Sequence, residues 1–207
     1  MKPSRKVADR FAVYINGKFA ASVTSDRLAQ LRLQKGRQLS ESEYQELLDD
    51  LENGRLREAA FRLLSYRSRS EKELTDRLLR KGFQRSKVDA LLAEFREKGL
   101  ISDRRFAEEW VDNRMRLNPR SRRLLVMELR AKGIDKETAE SVVEERLAGI
   151  DEAEIAFELL SGRLERFRQD KSIDTKRKIN NYLRYRGFGM SDILHATERF
   201  FKEFDEQ

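Results

Sequence analysis

Arg69-Ser70-Glu71-Lys72-Glu73-Leu74-Thr75-Asp76-Arg77-Leu78-Leu79-Arg80-Lys81-Gly82-Phe83 reads as one helix from start to stop. Ser70 is an N-cap, and Glu73, three residues on, is the expected return partner of a capping box. Leu74 and Leu78 lie one turn apart and form a buried stripe. Gly82 ends the helix where a left-handed residue is wanted, and Phe83 follows as an apolar anchor. The pattern recurs twice without an internal insertion. Ser121, Leu125, Leu129 and Lys132-Gly133-Ile134 repeat it at a shift of 51 residues. Thr175, Ile179, Leu183 and Arg186-Gly187-Phe188 repeat it after a further 54. A period of this size indicates stacked supersecondary units.

Working outward, each copy sits between two more helices. In the first, Leu56, Ala60, Phe61, Leu63 and Leu64 precede it and Val88, Leu91, Leu92 and Phe95 follow, closed by Gly99. In the second, Asp103 opens a helix with Phe106, Ala107, Trp110 and Val111, and Asn118-Pro119 breaks it. Asp135 then caps Ala139, Val142, Val143 and Leu147. In the third, Asp151 opens Ile155, Phe157, Leu159 and Leu160, and the last helix, from about Ser191, carries Ile193, Leu194 and Phe200.

Ahead of the copies, Arg10–Ile15 and Lys18–Val23 flank Asn16-Gly17 as a hairpin. Ser25 or Asp26 caps a short helix to about Gln34, with Gly36 as its stop. A capping box of Ser40 and Glu43 opens another helix, expected to end at Asn53-Gly54. The expected architecture is mostly α: three tandem three-helix repeats forming an elongated curved rod, preceded by a β-hairpin and short helices. The boundaries fall at residues 1–54, 55–101, 102–150 and 151–207.

Of the 207 residues, 39% are charged and 39% hydrophobic, which suits thin helical layers. The absence of cysteine removes disulfides, thiol catalysis and thiolate metal sites. The N-terminal Met1-Lys2-Pro3-Ser4-Arg5-Lys6 lacks the apolar core of a secretion signal, and no apolar run approaches the ~20 residues of a membrane span. A cytoplasmic protein is expected. With no heptad seam to force a dimer, so is a monomer. His195, the one histidine, has no second ligand beside it in sequence, and the scattered glycines form no phosphate loop. Neither an enzyme nor a metal or cofactor site is expected.

The net charge of +7 is unevenly placed. Residues 62–87 hold nine basic and three acidic side chains, residues 114–132 seven and one, and residues 163–186 nine and three. Positive charge therefore returns once per copy, as a surface for a polyanion would require. Two columns recur in all copies. Lys81, Lys132 and Arg186 sit in a last helical turn, where the dipole alone favours them; dipole and partner are equally good reasons. Lys72, Arg123 and Arg177 stand two residues after an N-cap, where the dipole disfavours a cation, so a bound phosphate or carboxylate is the expected reason. Around them lie Arg67, Arg69, Arg77 and Arg80, then Arg120, Arg122 and Arg130, then Lys176, Lys178 and Arg184. All sixteen are candidate contacts for a partner or nucleic acid. Tyr66, Tyr182 and Tyr185, interspersed among them, read as half-buried core rather than base-stacking residues.

Together, Arg69-Ser70-x-x-Glu73-Leu74, Lys81-Gly82-Phe83, Gly99-Leu100-Ile101-Ser102-Asp103 with Phe106-Ala107, and Leu129 with Lys132-Gly133-Ile134 resemble the RecX family, bacterial regulators of the RecA recombinase. The resemblance covers about residues 55–204; the third copy departs from it with Asp174-Thr175 and Arg186. It implies a non-catalytic regulator that binds in the groove of the RecA–single-stranded DNA filament and modulates, usually inhibits, assembly, ATP hydrolysis and strand exchange. Homologous recombination, DNA repair and the SOS response are the implied context. The implied partners are the RecA filament and single-stranded DNA, with weak binding to duplex DNA and none to membranes. Two alternatives stand beside this: a non-sequence-specific nucleic-acid-binding protein, and a helical-repeat adaptor for an acidic protein.

Overall fold

The computed structural model describes residues 2–3, 10–163 and 173–205. The basic start of the chain beyond Lys2-Pro3, and the part of the third basic cluster at 164–172, lie outside the described residues. The chain is mostly helical and forms two compact units, residues 1–67 with 77–91, and residues 68–76 with 92–207.

The first unit opens with a small antiparallel sheet in the order β1-β2-β3. Its strands are β1 (Lys2–Pro3), β2 (Arg10–Ile15) and β3 (Lys18–Thr24). The hairpin turns at Asn16 and Gly17, both with positive φ, as a two-residue turn demands. A register shift interrupts the β2–β3 pairing at Val13/Tyr14. Val13 and Val23 bury one face of the sheet against Leu47 and Leu51, the support that an isolated hairpin lacks. The short helix α1 (Ser25–Gln30) stops four residues before the expected Gln34.

Helix α2 (Glu41–Tyr66) corrects a second expectation. It starts at the foreseen box, where Ser40 accepts from the Glu43 N–H and the Glu43 carboxylate accepts from the Ser40 N–H. It does not end at Asn53-Gly54 but runs through the boundary expected at residue 54, 26 residues in all. A glycine inside a helix costs only about 1 kcal/mol relative to alanine. Leu47 and Leu51 before it, with Leu56, Ala59 and Ala60 after it, are all buried and outweigh that cost.

Helices α3 (Glu71–Leu79) and α4 (Arg85–Glu97) follow. The second unit then holds two three-helix cores. Helices α5 (Asp103–Leu117), α6 (Arg122–Ala131) and α7 (Lys136–Arg146) enclose Phe106, Val111, Leu125, Leu129, Ile134 and Val142. Helices α8 (Glu152–Ser161), α9 (Ile173–Tyr185) and α10 (Met190–Asp205) enclose Ile155, Leu160, Ile179, Leu183, Phe188 and Phe200. The glycine stops are identical in all three copies: Gly82, Gly133 and Gly187 have φ of 87°, 92° and 91°. Phe83, Ile134 and Phe188 each donate an N–H back to Leu78, Leu129 and Leu183. Thr175 is the exception at the start. It is buried inside α9, which begins two residues earlier, and is no N-cap.

Candidate partner interface and the joints between copies

Within the second unit, the N-terminus of one copy's central helix packs on the glycine loop of the next. Ser70 caps α3 by accepting from the Glu73 N–H at 3.2 Å and donates its hydroxyl to the Lys132 carbonyl at 2.7 Å. Ser121 caps α6 by accepting from Leu124 N–H, and its own N–H donates to the Arg186 carbonyl. Lys132 and Arg186 occupy the same column, so both joints use the same carbonyl, which accepts from a serine hydroxyl in the first and from a backbone N–H in the second. Gly133 faces Lys72 so closely that a Cβ there would stand 2.5 Å from the Lys72 Cβ. A Cβ on Gly187 would overlap Ser121 Oγ and stand 2.7 Å from the Leu124 Cβ.

The unpaired N–H groups at these helix starts are met by the protein's own carboxylates. Asp103, first residue of α5, accepts from Glu71 N–H at 2.8 Å. Glu152, first residue of α8, accepts from Arg122 N–H at 2.6 Å. The anion expected at the N-termini of α3 and α6 is thus supplied within the chain. Burial pushes the Asp103 carboxyl up, with the nearby Glu71 and Asp135 carboxylates adding to it. Its folded pKa therefore lies above the unfolded value, and its contribution to stability is present at low pH and lost as pH rises through the folded pKa. Asp103→Asn keeps the acceptor and removes the charge. It should stay within about 0.5 kcal/mol of the parent at neutral pH and lose that pH dependence, whereas Asp103→Ala should cost about 1–2 kcal/mol in urea unfolding.

These joints also account for several of the sixteen cations. Lys72 donates to the Ala131 carbonyl at 3.3 Å, at the negative end of α6, so its unfavourable place on its own helix is compensated by a favourable one on the next. Lys132 pairs with Glu73 at 2.7 Å and lies over the Trp110 ring. Glu73 thus pairs across the joint, and only the serine half of the expected box at Ser70 is seen. Arg186, 8% exposed, donates to Asn118 Oδ1 and the Pro119 carbonyl and covers the Tyr182 ring. Arg122 donates to the Leu147 and Ile150 carbonyls, Arg120 lies over the Tyr185 ring near Glu128, and Arg69 is buried.

The remaining candidates are exposed. Arg67 and Arg80 have other contacts, Arg130 donates to the Ile134 carbonyl, and Arg177 pairs with Asp174 in the first turns of α9. Arg77 and Lys81 in the first unit, and Arg123, Lys176, Lys178 and Arg184 in the second, have no hydrogen-bond or ion-pair partner among the described residues. The tyrosines correct another expectation. Tyr182 is half-buried, but Tyr66 and Tyr185 are 84% and 79% exposed. His195 is exposed on α10, and no metal-ligand cluster occurs among the described residues.

Against known proteins, residues 57–95 match the model for the first three-helix domain of RecX and residues 102–143 that for the second. Regulatory protein RecX of Bacillus velezensis is 30% identical across 98% of this chain and 77% of its own. That of Chlorobium limicola is 31% identical across 69% of this chain and 87% of its own. The chain belongs to the RecX family. Its RecX relatives are named as regulatory proteins. In fold it resembles the crystal structure of a regulatory protein RecX, with a TM-score of 0.66 at 24% identity over 94% of this chain and 96% of that one. RecX from Lactobacillus salivarius gives 0.60 at 23% identity over 72% and 96%. No helix among the described residues is long and apolar enough to cross a membrane.

Proposed function

We propose that this chain is a non-catalytic regulator that binds the RecA–single-stranded DNA filament and modulates, usually by inhibition, its assembly, ATP hydrolysis and strand exchange. The observation that carries the reading is the set of exposed cations without acidic partners among the described residues, on a chain whose relatives are regulatory RecX proteins. Charges left unneutralised on a folded surface favour a polyanionic partner, here DNA and acidic protein surface together. Repeated units contacting successive protomers would gain avidity without one large interface. Action by binding alone, in the cytoplasm and as a monomer, belongs to this reading, as do the repeat boundaries near residues 55, 102 and 151.

The test is RecA ATP hydrolysis on single-stranded DNA, titrated with this protein. The parent should inhibit at well below one molecule per protomer. Arg123→Glu, Lys176→Glu, Lys178→Glu and Arg184→Glu, combined, should raise the half-inhibitory concentration at least about tenfold, because charge reversal slows encounter and repels phosphate. Failure of the parent to inhibit, with salt-sensitive binding to bare DNA, would replace the reading by simple nucleic-acid binding.

A further inference from the structure

Beside the joint between the second and third copies lies a groove of about 430 Å³ lined by Arg123, Leu124, Met127, Arg184, Tyr185, Gly187, Phe188, Gly189 and Met190. Its composition is unusual for so charged a chain. Met127, Tyr185 and Met190 are 55%, 79% and 51% exposed, and they gather at one place. The two charged residues of the lining are both arginines and neither has a partner among the described residues; the Asp192 carboxylate lies at the edge, 3.1 Å from where a Cβ on Gly189 would stand. Tyr185 is also held in place. The Arg120 guanidinium lies 5.5 Å from its ring centroid, its Nη1 donates to the Tyr185 carbonyl at 3.4 Å, and Glu128 stands 3.8 Å from its Nε.

We propose that this groove takes an unpaired nucleotide of a single-stranded nucleic acid, its base stacked on Tyr185 between Met127 and Met190 and its flanking phosphates on Arg123 and Arg184. The chemistry fits each part of the lining. An aromatic face accepts any base, the thioethers supply adaptable apolar contact, and a guanidinium on each rim suits successive phosphates. Gly189 is exposed and carries no side chain, so a strand can approach the backbone there, whereas Gly187 is packed against Ser121 and Leu124. A duplex hides its base faces in the stack and offers nothing to Tyr185. An acidic peptide would satisfy the arginines but would leave the ring without a stacking partner. The inference deepens the proposed role and rests on it for the source of the strand, which would be the DNA within the filament.

The deciding measurement is binding of a fluorescent 30-mer of thymidylate to the full chain, without recombinase, at several salt concentrations. Tyr185→Ala should weaken binding roughly five- to a hundredfold and Tyr185→Phe should restore it, as stacking requires. Arg123→Gln with Arg184→Gln should lower the slope of log K against log salt by about 1.4, the value for two single-strand phosphates. All these side chains are exposed, and matched unfolding curves would exclude a folding defect. Parent-like binding by every variant would overturn the groove assignment. So would variants that keep the oligonucleotide but lose a glutamate-rich peptide, which would assign the groove to acidic protein. A parent that inhibits RecA yet ignores the bare strand would overturn the groove and leave the regulatory role standing. A parent that binds the strand through Tyr185 but leaves RecA unaffected would keep the groove and remove the role.

Discussion

Alanine at Gly187 or Gly133 should cost about 3 kcal/mol in urea unfolding, and alanine at Gly82 only about 1. All three glycines share the left-handed φ that penalises a side chain, so each substitution meets that strain. The difference lies in what the new methyl meets. At Gly82 nothing lies within 4 Å. At Gly133 it would press on the Lys72 Cβ and Cδ, at 2.5 and 2.6 Å, and at Gly187 on Ser121 Oγ and the Leu124 Cβ. The Lys72 and Leu124 Cβ atoms are bonded directly to the backbone and cannot swing aside. Relief requires the helix start to back away from the loop, and with it the hydrogen bonds to the Lys132 and Arg186 carbonyls. Equal losses at all three positions would show that the joints open freely and are not close-packed.

Lys132→Glu should destabilise by about 2 kcal/mol, while Arg123→Glu should leave stability unchanged to within about 0.5. Both residues were candidate partner contacts. Lys132 meets Glu73 at 2.7 Å in a joint where their side chains are 29% and 15% exposed. Reversal there sets two carboxylates together with little water to separate them. Removing one partner of a fully buried pair costs about 3–5 kcal/mol, and the remaining exposure reduces that. The exchange Glu73→Lys with Lys132→Glu should recover about half of the loss, because the pair is restored although Trp110 loses the cation over its ring. Arg123 has no such partner among the described residues and should affect only binding. The two proteins, compared by unfolding and by RecA inhibition, separate charges that hold the copies together from charges that face outward. If Arg123→Glu proved as destabilising as Lys132→Glu, that separation would be wrong.

Helix starts and stops were legible at Ser40, Ser121, Asp135, Asp151, Gly82, Gly133 and Gly187 because they depend on residues within one turn. The apolar stripes were legible for the same reason, and Leu74, Leu78, Leu125, Leu129, Ile179 and Leu183 are all fully buried. Local readings failed at other starts and stops, the Glu73 half of the box at Ser70 among them, where Glu73 pairs with Lys132 instead. Gly54 does not end α2, and Thr175 does not cap α9.

The sequence by itself determined that this is a repeating helical protein with basic charge in every copy. Only the tertiary structure decided what each charge does. Lys72 and Arg123 stand in the same column two residues after a serine cap, yet one donates to a carbonyl 59 residues away and the other has no partner among the described residues. Lys81 and Lys132 both precede a glycine, yet one is exposed and the other is paired with a glutamate. A cap or a glycine turn is fixed by energies acting along a few bonds. The partner of a long charged side chain is fixed by which distant backbone or carboxylate the packing brings to its tip, and periodicity alone carries no record of that.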